Sequence, residues 1–192
     1  MSQSLTRVAE RRNRATEIAR QAALVVSASI FVAVAAHIFA PIPGTPVPLT
    51  VQNLAVLLVG LTLGSKRGFG ALILYLAEGA VGLPVFSPTG VPGILHFIGP
   101  TGGYLVAYPL VAGLAGYIFE RGKQSFARAI FAATAGEVVL FATGISWLYV
   151  ITGSLKQAIS FGLYWFVFAE VIKVMVAAVT VRGWRGVFPQ KA

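Results

Sequence analysis

The stretch Pro41-Ile42-Pro43-Gly44-Thr45-Pro46-Val47-Pro48-Leu49-Thr50-Val51-Gln52-Asn53 decides how this chain is read. Four of its thirteen residues are proline, and none is charged. Each proline lacks a backbone donor, fixes φ, and biases the residue before it towards extended geometry. Regular helix is therefore excluded here, although strongly apolar runs lie on both sides. A solvated surface loop would carry charge and serine. This stretch reads instead as a stiff, extended strap that packs on something. A second uncharged stretch rich in proline and glycine, Leu83 to Gly103, follows later in the chain.

The apolar runs set the class. Of the 192 residues, 57% are hydrophobic and 11% charged, whereas a soluble domain carries about a quarter charged residues. The chain is an integral membrane protein by composition and short enough to be one domain. It has no cysteine, which excludes disulfides and thiolate metal sites, and only two histidines, His37 and His96. Six spans are predicted: residues 22–40, Leu54–Leu63, Phe69–Leu83, Tyr104–Phe119, Phe126–Ile151 and Ala158–Val181. The fold class is all-α, a six-helix transmembrane bundle over 22–181. A basic segment, 1–21, forms an interfacial amphipathic helix or a disordered arm, and a basic tail covers 182–192. Arg11-Arg12 is not read as a twin-arginine signal, because Asn13-Arg14-Ala15 does not suit that motif. The second span is short. Even begun at Leu49 it gives about 22 Å of helix against a hydrocarbon core of about 30 Å. A short span beside a proline strap points to irregular backbone at membrane depth, tolerated only where protein buries it or it lines a cavity.

Charge gives the topology. With the N-terminus inside, 13 of the 15 Lys and Arg residues fall on the inner side; only Lys156 is in an outer loop, and Lys173 lies within a span. This is the positive-inside pattern. It accounts for the net charge of +9 without nucleic acid. It places both termini in the cytoplasm and both proline-rich stretches together on the outer face.

Four ionisable groups fall within apolar runs: Glu78, Glu137, Glu170 and Lys173. Each costs about 2.5–3.5 kcal/mol at a helix centre on insertion scales, so each must face the bundle interior, find a partner or serve function. Glu170 and Lys173 are three residues apart and share a helix face. They form either a neutralising pair that holds helices together or part of a site. Glu78 is either interfacial or a site residue, and Glu137 packs or hydrogen-bonds within helix five. Gly60, Gly64, Gly113 and Gly116 allow close backbone approach. Ser29-xxx-Ala33 and Ala19-xxx-Ala23 are candidate docking faces for another membrane protein. Gly99 to Tyr104 leads into helix four, and a glycine-rich helix start exposes backbone N–H groups that favour an anion. No phosphate-binding loop is present: Gly116 to Gly122-Lys123-Gln124 has the wrong spacing and ends in Gln. The chain therefore has no ATPase motif of that kind. A small intramembrane enzyme acting on a lipid or prenyl substrate is the alternative. The six acids are all Glu, and the intramembrane ones are scattered over three helices, which argues against it.

Taken together, these residues resemble the BioY family, the biotin-specific S components of energy-coupling-factor vitamin transporters. The resemblance rests on Pro43-Gly44-Thr45-Pro46-Val47-Pro48-Leu49-Thr50-Val51-Gln52, Gly60 with Leu63-Gly64, Tyr75-Leu76, Gly79 to Phe86, and Gly99 to Tyr104. Gly144 with Trp147-Leu148 extends it. In the last helix the family's Pro-Gly-Asp-x-x-Lys pattern is replaced by Phe168-Ala169-Glu170-Val171-Ile172-Lys173. The acid and the lysine keep their spacing, but the Pro-Gly element is missing. The resemblance implies a biotin site near the outer face, closed by the first and third loops. It implies no cofactor beyond biotin as the transported ligand, a place in the bacterial cytoplasmic membrane, and partners on other chains: a transmembrane coupling protein and ABC-type ATPases. Biotin has an apolar bicycle, a ureido group and an anionic tail. For it, Tyr75, Phe86 and Tyr104 supply walls. Gln52, Asn53 and Glu170 accept from ureido N–H, Lys173 donates to the ureido oxygen, and Gly102 and Gly103 stand at the helix start.

Overall fold

A computed structural model describes the backbone of residues 2–187 and the side chains of 13–183. The chain is helical except at its loops. α1 runs Ser2–Ala36, α2 Gln52–Leu63, α3 Ser65–Ala80, α4 Gly102–Glu120, α5 Phe126–Thr152, α6 Leu155–Ile159 and α7 Val167–Val187. Four stretches are long and apolar enough to cross a membrane: Asn13–Ala36, Gly102–Glu120, Phe126–Thr152 and Leu155–Gly183.

The basic N-terminal segment is neither a separate helix nor an arm. Residues 2–36 contain no proline or glycine, so nothing in the backbone interrupts the helix, and α1 begins at Ser2. It ends at Ala36, four residues before the predicted boundary. The chain then turns into a minimal hairpin in which β1 (Phe39–Ala40) pairs antiparallel with β2 (Leu49–Thr50). The proline strap forms the connection. Gly44, at φ 90°, makes its turn, while Val47 and Pro48 are buried. The strap is thus non-helical up to Val51, but it turns at Gly44 and leaves Pro41, Pro43 and Pro46 exposed, and Gln52 and Asn53, read with it from sequence, already belong to α2.

α2 has 12 residues, about 18 Å of helix. Gly64 ends it at φ 83°, and α3 starts on the next residue. Glu120, at the far end of α4, accepts the Ser65 N–H at 3.1 Å, satisfying one of the free donors at the start of α3. α4 packs against α2, α3 and α5, with α1 outside α2 and α3 and with α7 against α2 and α5. The contact of α2 with α4 is backbone to backbone. A Cβ on Gly60 would stand 2.5 Å from the Ala112 carbonyl oxygen, so only glycine fits there. At the C-terminal end of α4, Arg128 donates from Nε to the Ile118 carbonyl at 2.7 Å and from Nη2 to that of Arg121 at 3.0 Å. These bonds occupy carbonyls the helix leaves without partners.

The last span is not one continuous helix. α6 gives way to a π-helical turn at Ser160–Tyr164, and α7 begins at Val167. Two backbone carbonyls in the turn are taken from outside: Thr45 Oγ1 donates to Phe161 O at 2.7 Å, and Tyr104 Oη to Gly162 O at 2.9 Å. Such π turns often mark functional sites. The irregular turn therefore lies several residues before Glu170, although Phe168-Ala169 has no Pro-Gly element.

Candidate functional site

The strap, the 81–101 loop and the N-terminal turns of α2 and α4 border a cavity. Its volume is about 50 Å3, room for a few water molecules. Val47, Pro48 and Thr50 form one wall, Ser87, His96 and Thr101 another. Tyr104, Leu105 and Tyr108 come from α4, Leu140 and Phe141 from α5, and Phe166, Glu170 and Lys173 from the last span. Gln52 and Asn53, the first two residues of α2, complete it.

Asn53 ties three helices together. Its Nδ2 donates to Glu137 Oε1 on α5 at 2.6 Å and to Glu170 Oε2 on α7 at 2.7 Å. Lys173 Nζ donates to the other Glu170 oxygen at 2.7 Å. One amide thus bridges two carboxyl groups, and one ammonium pairs with that of Glu170. Asn53, Glu137 and Glu170 are 3%, 6% and 6% exposed, so these bonds form where water does not compete. Two oxygens in the cluster, Asn53 Oδ1 and Glu137 Oε2, are buried without a hydrogen-bond partner. A buried acceptor left unmade costs about 1–3 kcal/mol. The cluster is therefore poised to receive N–H or O–H donors.

A second chain of bonds holds the 81–101 loop. Gln52 Nε2 donates to Tyr75 Oη at 2.8 Å, and Tyr75 Oη donates to Val85 O at 3.0 Å. Phe86 packs edge-on to Tyr75 with centroids 5.3 Å apart, and its ring centre lies 5.0 Å from that of His96. Trp147 Nε1 donates to Gly99 O at 2.8 Å and pins the loop to α5.

The sequence model of the BioY family matches residues 3–190 of this chain. The chain belongs to the BioY family. "Biotin transporter BioY" of Thermotoga maritima is 38% identical over 154 residues, 80% of this chain and 90% of that one. "Probable biotin transporter BioY" of Pyrococcus horikoshii is 37% identical over 134 residues, covering 70% and 78%. Among solved structures, the crystal structure of the S-component for biotin from an ECF-type ABC transporter superposes with a TM-score of 0.79. That match covers 89% of this chain and 93% of the other at 25% identity.

In this BioY-family chain the residues singled out from sequence separate into two groups. Gln52, Asn53, Tyr104, Glu170 and Lys173 border the cavity. Tyr75 and Phe86 stand behind its wall, holding Gln52, Val85 and His96. Gly102 and Gly103 do not border it. A Cβ on Gly102 would meet the Phe97 carbonyl oxygen at 1.8 Å, and one on Gly103 the Trp147 side chain at 2.3 Å. Their lack of a side chain lets α4 start against the loop and α5. Glu78 is half-buried outside the cavity and accepts from the Ser29 hydroxyl. Ser29 is 0% exposed, so it faces α3 and cannot belong to an outward docking face, whereas Ala19 and Ala23 are exposed.

Sequence reasoning placed Glu137 only as a packing or hydrogen-bonding residue. Its partner Asn53 lies 84 positions away, beyond the reach of any local pattern. Ser87, His96, Thr101 and Tyr108 were missed as lining residues. A histidine inside an uncharged loop was the one available signal.

Proposed function

We propose that the chain is the biotin-binding membrane subunit of an energy-coupling-factor importer. Six spans cross a bacterial cytoplasmic membrane with both termini inside, and a separate coupling protein and ATPases supply energy. The observation that carries this reading is Asn53 Oδ1. It is a buried acceptor without a partner, bordering a cavity under the strap and anchored by Glu170 and Lys173. A ureido group offers N–H donors and one acceptor. Asn53 and Glu170 receive the N–H groups, Lys173 donates to the oxygen, and Tyr104, Tyr108 and Phe166 wall the bicycle. Family membership supports this choice of ligand. Ligand pockets are typically about 300–1,000 Å3, so the cavity must widen to admit the bicycle. Val47, Pro48 and Thr50, held in loop and hairpin rather than helix, form the wall that gives way, at the cost of the Thr45 bond to Phe161 O.

Isothermal titration of the purified protein with biotin in detergent tests the reading directly. Saturable one-to-one binding is expected, and absence of heat at high biotin concentration would end it. Glu170→Gln keeps shape and one acceptor but removes the charge. Hydrogen bonds to a charged group contribute about 1.5–3 kcal/mol, so affinity is expected to fall roughly ten- to hundredfold.

A further inference from the structure

His96 sits in the 3-10 helix Gly93–Ile98 of the outer loop, with its side chain 4% exposed and bordering the cavity. Its ring is held on three sides. Phe86 packs against it at 5.0 Å, Gly90 lies close enough that a Cβ there would come within 2.5 Å of Cε1, and Nδ1 lies 3.1 Å from the Val91 carbonyl oxygen. A carbonyl only accepts, so Nδ1 carries the proton of this bond. Nε2 is then a bare lone pair in the neutral ring. Among the described residues none is hydrogen-bonded to it.

The remaining polar groups around the cavity make this nitrogen consequential. Lys173 is the one cationic side chain among the described lining residues, and it is bonded to Glu170. Across the cavity, α4 contributes Tyr104, bonded to Gly162 O, and Tyr108. α7 contributes the Glu170–Lys173 pair, and α2 contributes the uncharged Gln52 and Asn53. Tyr75 of α3 is spent on Gln52 and Val85. A ligand whose ureido end meets Asn53, Glu170 and Lys173 therefore finds no free cation for an ionised tail. His96, with the Ser87 and Thr101 hydroxyls on the same wall, is the group that can become one.

We propose that His96 forms a proton-dependent anion subsite for the carboxylate tail: Nδ1–H stays on Val91 O, Nε2 takes a proton from solvent, and Nε2–H donates to the carboxylate. This rests on the biotin reading above. Burial holds the His96 pKa below the ordinary histidine value, with the Val91 bond opposing that shift. The ring without an anion beside it is therefore neutral near pH 7, and binding an anion takes up a proton. Linkage of one proton changes affinity by up to about tenfold per pH unit, tighter as pH falls.

The experiment is titration calorimetry of the full chain in detergent between pH 6 and pH 8, with biotin and with its uncharged carboxamide. Each is run in two buffers of different ionisation enthalpy. Biotin is expected to bind more tightly at pH 6, by at least several-fold, with uptake of up to one proton. The carboxamide is expected to show neither effect. His96→Gln is expected to flatten the biotin profile. The subsite is overturned if native biotin affinity is independent of pH with no proton uptake. It is equally overturned if the carboxamide follows the same profile, or if folded His96→Gln retains the slope. The native comparison of the two ligands decides the matter even if His96→Gln fails to fold. Absence of binding by both ligands at every pH would instead overturn the biotin reading, and the subsite with it.

Discussion

Replacing Asn53 by leucine tests the centre of the site most severely. The side chain is nearly isosteric, so packing changes little, but both donor hydrogens disappear. They reach two carboxylates at 2.6 and 2.7 Å, and each such bond contributes about 1.5–3 kcal/mol. Together they amount to about 3–6 kcal/mol against a total stability of order 5–15 kcal/mol. Asn53→Leu is therefore expected to unfold at much lower denaturant in mixed micelles, followed by tryptophan fluorescence. Because leucine packing and micelle effects enter every variant, the bond itself is isolated by a cycle with Glu137→Leu. The double variant should lose less than the sum of the two single losses by about 1.5–3 kcal/mol, the value of the bond they share. Losses that add to within about 0.5 kcal/mol would show that Asn53 does not hold Glu137, and the bridged cluster would have to be abandoned.

Replacing Pro46 and Pro48 together by glycine loosens the strap without touching the cluster. Biotin should then dissociate faster with little change in association, and an unchanged off-rate would reduce the prolines to turn formers. For topology, cysteine at the exposed Thr89 should react with an impermeant thiol reagent added to intact cells, while cysteine at the exposed Lys123 should not. The reverse pattern would invert the protein. Gly144→Leu should weaken both folding and binding, since a Cβ at that position already comes within 2.2 Å of the Tyr104 ring. A variant as stable as the parent in thermal melts would contradict this packing.

What the sequence made legible follows from how far each cause acts. The strap's departure from helix was readable because proline acts on its own residue and the one before it. The Glu170–Lys173 pair was readable because three residues on a helix share a face. The π turn at 160–164 was not. Its external bonds come from Thr45 and Tyr104, 116 and 58 positions away, while the local residues are compatible with plain helix. The continuous α1 was misjudged for a different reason: charge was taken as a boundary, yet Arg, Glu and Ala all favour helix. Gly102 and Gly103 suggested an anion site by local pattern, but what crowds them is Phe97 and Trp147. Only the fold brings Trp147, 44 residues away in the chain, against this helix start.

The Thr45 bond to Phe161 has a mechanical consequence. The strap is latched to the same turn from which α7 departs, and α7 carries Glu170 and Lys173. The strap cannot lift without releasing a carbonyl of that turn. α7 itself stays tied to α2 and α5 through the bonds of Asn53 to Glu170 and Glu137. Thr45 therefore couples any displacement of the strap to the backbone bonding of the segment that leads into Glu170 and Lys173, while the Tyr104 bond to Gly162 O holds the same turn independently.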